Sequence, residues 1–314
     1  MAQPDELEAL TKAFSGHGID EKSLITILGN SHAEKRRTFR KSIPHFFKED
    51  ERLFERWDDQ KVKLLKHEFM RFKNAIVLWA MHPWERDARL IKEALTKGSS
   101  SYNVIIEVAC TRSSEELLGA RRAYHSLFDH SIEEDVASHV SGPERKLFVA
   151  LVSAYRYEGP KIKEEPVKAE AKTLSAALKN TDKRKHVEDE EVIRILSTRS
   201  KPHLRELYKL YKEINDRNFD EDLQVDLRLM QTVHCLCTPE RYFSQVLDTA
   251  LKIDAPKSTK KAVTRVVVTR TDVDIKEIKE EYSRIYGVSL TERIEQSANG
   301  NYKDFLLTLV SKEA

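Results

Sequence analysis

Only three cysteines, Cys110, Cys235 and Cys237, occur in the 314 residues, and that excludes the dense disulfide framework of a small secreted scaffold. Glycine and proline are also scarce, at nine each. So few turn-formers over this length favour long helices over many tight turns. Long apolar runs are missing as well. The longest, AIVLWAM at 75–81, falls far short of the roughly 20 residues that cross a bilayer as a helix. The opening MAQPDELEAL is acidic and polar, unlike a signal peptide, so a cytoplasmic chain is expected. Charge of one sign is absent too: 54 Lys and Arg nearly balance 52 Asp and Glu, for a net charge of +2. Whole-molecule attraction to nucleic acid is therefore not indicated. Any anionic partner has to be met by local basic patches.

What the sequence does contain is a repeat. EVACTRSSEELLGARRAYHSLF (107–128), RILSTRSKPHLRELYKLYKEI (194–214) and RVVVTRTDVDIKEIKEEYSRIY (265–286) share one register. Each carries Thr-Arg, at Thr111-Arg112, Thr198-Arg199 and Thr269-Arg270. Five residues after the arginine stands an aliphatic (Leu117, Leu204, Ile275), and twelve after it a tyrosine (Tyr124, Tyr211, Tyr282). A more worn copy is TILGNSHAEKRRTFRKSI (26–43), with Ser31 in the place of the arginine. Each copy is followed by a second apolar element: 72–83, 145–156, 242–252 and 302–312. The apolar spacing within the copies is helical, and hardly any segment alternates with period two. The expectation is an all-α protein of four units. RYEGPKIKEEPVKAEAK (156–172) has two prolines and almost no apolar content; it reads as a linker dividing the chain into two halves of two repeats.

Ahead of the first copy lies FSGHGIDEKSLITIL (14–28), two glycines one residue apart just before a helix. Such a loop holds either an anion on helix N–H groups or a cation on carbonyls turned outward. No lysine of the phosphate-loop kind follows the second glycine. The chain also has no G-x-x-x-x-G-K-[ST] loop and no G-x-S-x-G elbow, so an enzyme is not expected.

Four repeats with a glycine loop, a T-R-S segment and a closing apolar helix resemble the annexins, over essentially the whole chain. WAMHPWERDA (79–88), EVACTRS (107–113), LVSAYRYEG (151–159) and IKEEYSRIYGVSL (278–290) are similar to the plant members. The resemblance implies five helices per repeat in a curved disc, with repeats at 5–82, 83–157, 171–252 and 253–314 and a linker at 158–170. It also implies convex-face loops that bind Ca²⁺ and, through it, negatively charged phospholipid. FSGHGIDE lies on the family's M-K-G-x-G-T-D-E loop. Its ligands would be the carbonyls of Phe14, Gly16 and Gly18, reached because glycine leaves the ion unobstructed.

This sequence departs from that pattern. Ile19 stands in the threonine's place. About nine extra residues around KEDERLFERWDD leave the closing carboxylate at Glu68, preferred from the closing-helix alignment, or Asp58. The second loop, TKGSSSYN (96–103), keeps one glycine, and the place for its carboxylate reads SGPERK. The third, KNTDKRKHVEDEE (179–191), has no glycine; the fourth, DAPKSTKKAVTR (254–265), has Ala255 and Lys257 in the glycine places and Ser297 in that of the acid. Basic residues replace the ion ligands: Lys183, Arg184, Lys185 and His186 in the third loop, and Lys257, Lys260 and Lys261 in the fourth. Direct attraction to anionic headgroups, of about 1 kcal/mol per basic residue, is the expectation for these loops.

Other signals read as structural. Arg112, Arg199 and Arg270 recur beside apolar neighbours and are expected to pair with helix-end carbonyls or acids within their bundles. Cys110 and Cys235, for which the family suggests a redox role, sit among apolar residues, as small buried hydrophobes do. His45 lies near a histidine tied to a peroxidase proposal in the family. Ile193-Arg194-Ile195 matches a suggested actin-binding tripeptide, on a helix whose isoleucines face the core. The alternatives to calcium-assisted membrane binding are a calcium-insensitive scaffold for other proteins, further annexins or a second copy included, and a redox enzyme.

Overall fold

The computed structural model describes residues 4–14, 21–59, 71–153, 156–179, 186–224 and 226–312. Apart from one hairpin, the regular structure among them is helical. Two compact units emerge, one formed by 1–82 with 240–314 and one by 83–239.

Among the described residues the middle unit holds ten α-helices in two runs of five. The first run is α5 (Pro83–Lys97), α6 (Asn103–Thr111), α7 (Ser114–Phe128), α8 (Ile132–His139) and α9 (Glu144–Val152). The second is α10 (Glu164–Leu178), α11 (Glu190–Thr198), α12 (Lys201–Asn215), α13 (Phe219–Leu223) and α14 (Leu227–Cys237). The other unit contains α1 (Pro4–Phe14), α2 (Glu21–Leu24) running on as a π turn (Ile25–Gly29), α3 (Ala33–Ser42) and α4 (Arg71–Ala80). It also contains α15 (Pro239–Leu251, from Glu240), α16 (Lys257–Arg270), α17 (Ile275–Tyr286), α18 (Leu290–Ser297) and α19 (Gly300–Val310).

Local sequence sets many of these boundaries. Ser113 with Glu116, Ser131 with Glu134, and Ser289 with Glu292 form reciprocal capping boxes that satisfy orphan N–H groups. Pro83 and Pro239 open their helices, where a missing N–H costs nothing. The third helix of each later copy ends in a left-handed residue: Asp129, Asp216 or Gly287. The repeated tyrosines Tyr124, Tyr211 and Tyr282 are fully buried. Each hydroxyl donates to an acid: Asp135 at 2.5 Å, Asp222 at 2.7 Å and Asp248 at 3.3 Å. A buried phenol needs such a partner, which is why an acid accompanies each copy.

Three expectations need correcting. First, the insertion in the first copy is not helical. Phe47–Asp50 (β1) pairs antiparallel with Phe54–Trp57 (β2), Phe47 opposite Trp57. The rings of that pair lie 4.3 Å apart, the cross-strand aromatic contact that stabilises short hairpins. Glu55, buried in β2, accepts from Arg40 of α3 at 3.2 Å and ties the hairpin down.

Second, the proline-bearing stretch does not divide the chain into halves, since the second and third copies share one compact unit. Arg156 donates to the carbonyls of Leu196 (2.5 Å) and Arg199 (2.6 Å), and the Tyr157 N–H to Thr198 (2.9 Å). These are carbonyls at the end of α11, which have no intrahelical partner; the connection straps the two copies together by satisfying them. Only 156–163 lacks regular structure, because α10 starts at Glu164 inside the expected linker 158–170. Pro166 sits in its first turn, where a proline initiates rather than interrupts, with Glu164 and Glu165 complementing the helix dipole. Third, α15, expected to close the third copy, groups from Glu240 onward with the unit that holds the fourth.

The repeated arginines behave as the sequence indicates. Arg112 makes a two-pronged bond to Asp87 at 2.6 and 2.9 Å. Arg199 meets Glu170 at 2.5 to 3.0 Å, and Arg270 meets Asp274 at 2.5 and 2.7 Å. Ile193 and Ile195 are buried, so the tripeptide's isoleucines face the core.

Candidate functional site

The four loops can be compared at the same place, between the first and second helices of each copy. In the first, α1 ends at Phe14, so the Phe14 carbonyl belongs to the last turn, where carbonyls lack an intrahelical donor. The Phe14 ring is buried against Trp57 (5.2 Å, edge-on) and Phe46 (5.6 Å). The inserted hairpin thus fixes the start of the loop. Gly16, Gly18 and Glu68 lie outside the described residues. Asp58, the other candidate for the closing acid, lies just past β2. Its N–H donates to the Phe46 carbonyl at 2.8 Å, and its carboxylate meets Lys48 at 2.5 Å. A helix-end carbonyl held in place suits a hard, oxygen-seeking cation.

The second loop follows α5 through Gly98, whose φ of 79° requires glycine, into a tight turn at Ser99–Ser101. The Ser99 carbonyl is not available to an external ion, because Arg228 of α14 donates to it at 2.6 Å. The same guanidinium lies 3.4 Å from Glu144, the acid in the SGPERK stretch. One side-chain cation therefore joins a loop carbonyl to the carboxylate place.

In the third loop Lys183, Arg184 and Lys185 lie outside the described residues. His186, expected with them on the surface, is buried at 3% exposure.

In the fourth, Lys257 and Lys261 at the start of α16 are exposed. The Lys260 ammonium donates to the Ile253 carbonyl at 2.7 Å. With Ala255 and Lys257 in the glycine places, Ile253 holds the place that Phe14 holds in the first loop. Ser297 does come to this loop, as expected from its sequence place. A cavity of about 260 Å³ is lined by Leu251, Lys252, Ile253, Asp254, Arg293, Gln296 and Ser297. The fourth loop does not fit calcium, since its own Lys260 occupies the carbonyl in the Phe14 place; in the second, Arg228 takes the carbonyl between two of the ligand places.

The remaining candidates are quickly placed. All three cysteines are buried free thiols. Burial pushes the Cys110 thiol up to about 11, although Arg156 and Lys201 pull the other way. Burial likewise raises Cys237 to about 12. Such thiols stay protonated at neutral pH, the opposite of a reactive thiolate. His45 is exposed beyond α3. No described helix is long and apolar enough to cross a membrane.

Helical repeats with an interhelical loop at one recurring place define a class of helical repeat proteins. The comparisons are specific about which. The Annexin family model matches residues 86–151, 170–228 and 242–309. Annexin D4 of Arabidopsis thaliana is 55% identical over 99% of this chain and 99% of its own. Annexin Gh1 of Gossypium hirsutum is 41% identical, covering 97% of this chain and 94% of its own. Among solved structures, annexin III superposes with a TM-score of 0.82 at 25% identity, covering 100% of this chain and 97% of that one. The chain belongs to the annexin family, which is known for calcium-dependent binding to phospholipid.

Proposed function

We propose that this annexin docks peripherally on negatively charged phospholipid membranes, with calcium assistance through its first loop. The observation that carries the reading is the fixing of Phe14, the last residue of α1, by Trp57 and Phe46. Phe14, Gly16 and Gly18 would present carbonyls and Glu68 would close the site, Asp58 being engaged by Lys48. Calcium, when held there, supplies positive charge at the point where a lipid phosphate arrives. The engagement of the Ile253 carbonyl by Lys260, together with the glycines missing from the third and fourth loops, favours fewer than four ion sites. Lys183, Arg184 and Lys185 in the third loop, and Lys257 and Lys261 with Lys260 in the fourth, add Coulomb attraction that needs no calcium and weakens with salt. The buried, protonated cysteines favour binding over redox catalysis.

The test is co-sedimentation with phosphatidylserine vesicles, with calcium and with chelator, for the wild type and Gly16→Glu. Calcium-stimulated binding lost in the variant is the expected result. A calcium response equal in both proteins removes the ion from the first loop.

A further inference from the structure

Asparagine is followed by glycine once in the chain, at Asn299-Gly300, and by serine once, at Asn30-Ser31. At such steps the backbone nitrogen after the asparagine is little crowded by side chain, and it is able to attack the asparagine's own Cγ. In a folded chain the outcome depends on whether the side-chain amide and that nitrogen are held by other bonds. The fold treats the two steps oppositely.

Asn30 is guarded. Its side-chain amide donates to the Thr26 carbonyl at 3.1 Å. The Ser31 N–H donates to the Leu28 carbonyl at 3.2 Å, and Ser31 is fully buried. Attack there has to give up both bonds first.

Asn299 is open. It stands exposed at the N-cap of α19, where an asparagine ordinarily accepts an N–H of the first turn. Its side chain makes no such bond. Gly300 opens the helix, so its N–H has no acceptor within it, and among the described residues no other backbone carbonyl takes it. The φ of Gly300 is 58°, and nothing lies within 4 Å of the place a Cβ would occupy. Glycine adopts that φ freely, and the empty space leaves room for a five-membered ring. The first bond of the helix, from the Lys303 N–H to the Asn299 carbonyl, is long at 3.4 Å, beyond the usual range. The peptide between Asn299 and Gly300 is therefore weakly held and free to turn its nitrogen onto Cγ.

We propose that Asn299-Gly300 is a self-modification site, at which the folded chain loses ammonia and acquires a carboxylate at the start of α19. The Gly300 nitrogen forms a bond to Asn299 Cγ, the Cγ–Nδ2 bond breaks, and ammonia leaves with the Gly300 proton. Water then opens the succinimide at one of its two carbonyls. Cleavage of the bond between Cγ and the Gly300 nitrogen yields aspartate, a charged N-cap that suits the positive end of the helix. Cleavage at the main-chain carbonyl yields isoaspartate, which runs the backbone through Cγ and lengthens it by one atom. That product loosens the first turn of α19, from which Tyr302 meets the Thr264 hydroxyl of α16 at 2.7 Å.

The experiment holds the full chain at neutral pH and physiological temperature, folded and in urea, for the wild type, Asn299→Gln and Gly300→Ala. Peptide mass spectrometry follows each asparagine, and an isoaspartyl methyltransferase with a labelled methyl donor counts the rearranged product. Folding should slow conversion at Asn30 about tenfold, the factor that its two guarding bonds are worth, and leave Asn299 nearly as fast as in urea. Methyl labelling of the folded chain should be lost in Asn299→Gln, which leaves the backbone unaltered, and reduced in Gly300→Ala. An Asn299 that converts in urea but is slowed by folding as much as Asn30 overturns the proposal. Labelling undiminished in Asn299→Gln overturns it as well, by placing the reaction elsewhere.

Discussion

The second and fourth repeats meet the same two needs: an acid for a repeated arginine and a counter-charge for an outward loop carbonyl. They do so with partners at opposite distances along the chain. In the second, Arg112 is paired with Asp87, 25 residues away, and the Ser99 carbonyl with Arg228, 129 residues away. In the fourth, Arg270 is paired with Asp274 one turn on, and the Ile253 carbonyl with Lys260 seven residues on. The interaction is held constant while its provider changes. A loop closed by its own segment remains in the same state whatever the rest of the bundle does. A loop closed from another repeat reports on how that repeat is packed.

The largest expected difference lies in the arginine pairs. The Arg112 and Asp87 side chains are 7% and 2% exposed, so Asp87→Asn strands a buried charge and should cost about 3–5 kcal/mol. Asp274 is 17% exposed, and Arg270 keeps the face of Phe243 at 4.8 Å. Asp274→Asn should therefore cost about 1–3 kcal/mol. Urea denaturation of both variants checks this ordering, and an equal or larger loss for Asp274→Asn would break the comparison.

The second difference lies in the loops. Arg228→Gln removes both the bond to Ser99 and the approach to Glu144. It should speed amide exchange at 98–103 and cost about 1–2 kcal/mol. Lys260→Gln removes one exposed bond and should cost about 0.5 kcal/mol, with faster exchange confined to 253–260. Hydrogen exchange followed by mass spectrometry reads both. Equal spread of the effect around the two loops would mean that distance along the chain makes no difference.

How far the sequence revealed this follows the same division. The helical class, the repeat register and the acid partners of the arginines were legible, because each rests on spacing within one copy or on the cost of an unpaired buried charge. The tyrosines at a fixed twelve-residue offset all reach the core. The hairpin was not legible. Its strands are four residues long, and their buried positions, Phe47, Phe54, Glu55 and Trp57, follow no simple alternation. The linker misled because Pro166 reads alike as an interruption and as a first-turn residue; only the carbonyls of α11, awaiting Arg156, decide between them. At the loops the missing glycines pointed to fewer calcium ligands. That Lys260 turns inward onto Ile253 was within reach, seven residues away in the same loop. That Arg228 caps Ser99 was not, since nothing in either copy's spacing points to the other.

The smallest expected effect tests whether an internal cation must be permanent. Lys312 supplies a third instance: its ammonium donates to the Ser31 carbonyl at 2.5 Å and lies 4.8 Å from the centre of the Trp79 ring, which Arg36 also covers at 3.7 Å. Arginine in general stays charged at any pH the fold survives. Lys312 differs. Burial pushes it down to about 8, with Arg36 adding repulsion and Asp272 opposing. The folded chain then releases this proton at about 8, whereas the unfolded chain keeps it until the ordinary lysine range near 10.5. Between those values the unfolded state binds more protons, so unfolding becomes harder as pH rises. Below 8 the folded state carries the full cost of a partly desolvated charge. Half of the group faces solvent, and the gain, discounted for that screening, should be about 1 kcal/mol between pH 8 and 9.5, below the range in which tyrosines titrate. Lys312→Met should lack that rise while the wild type and Arg228→Gln keep it. Urea midpoints across this pH window give the result, and a parallel rise in Lys312→Met would assign the proton to another group.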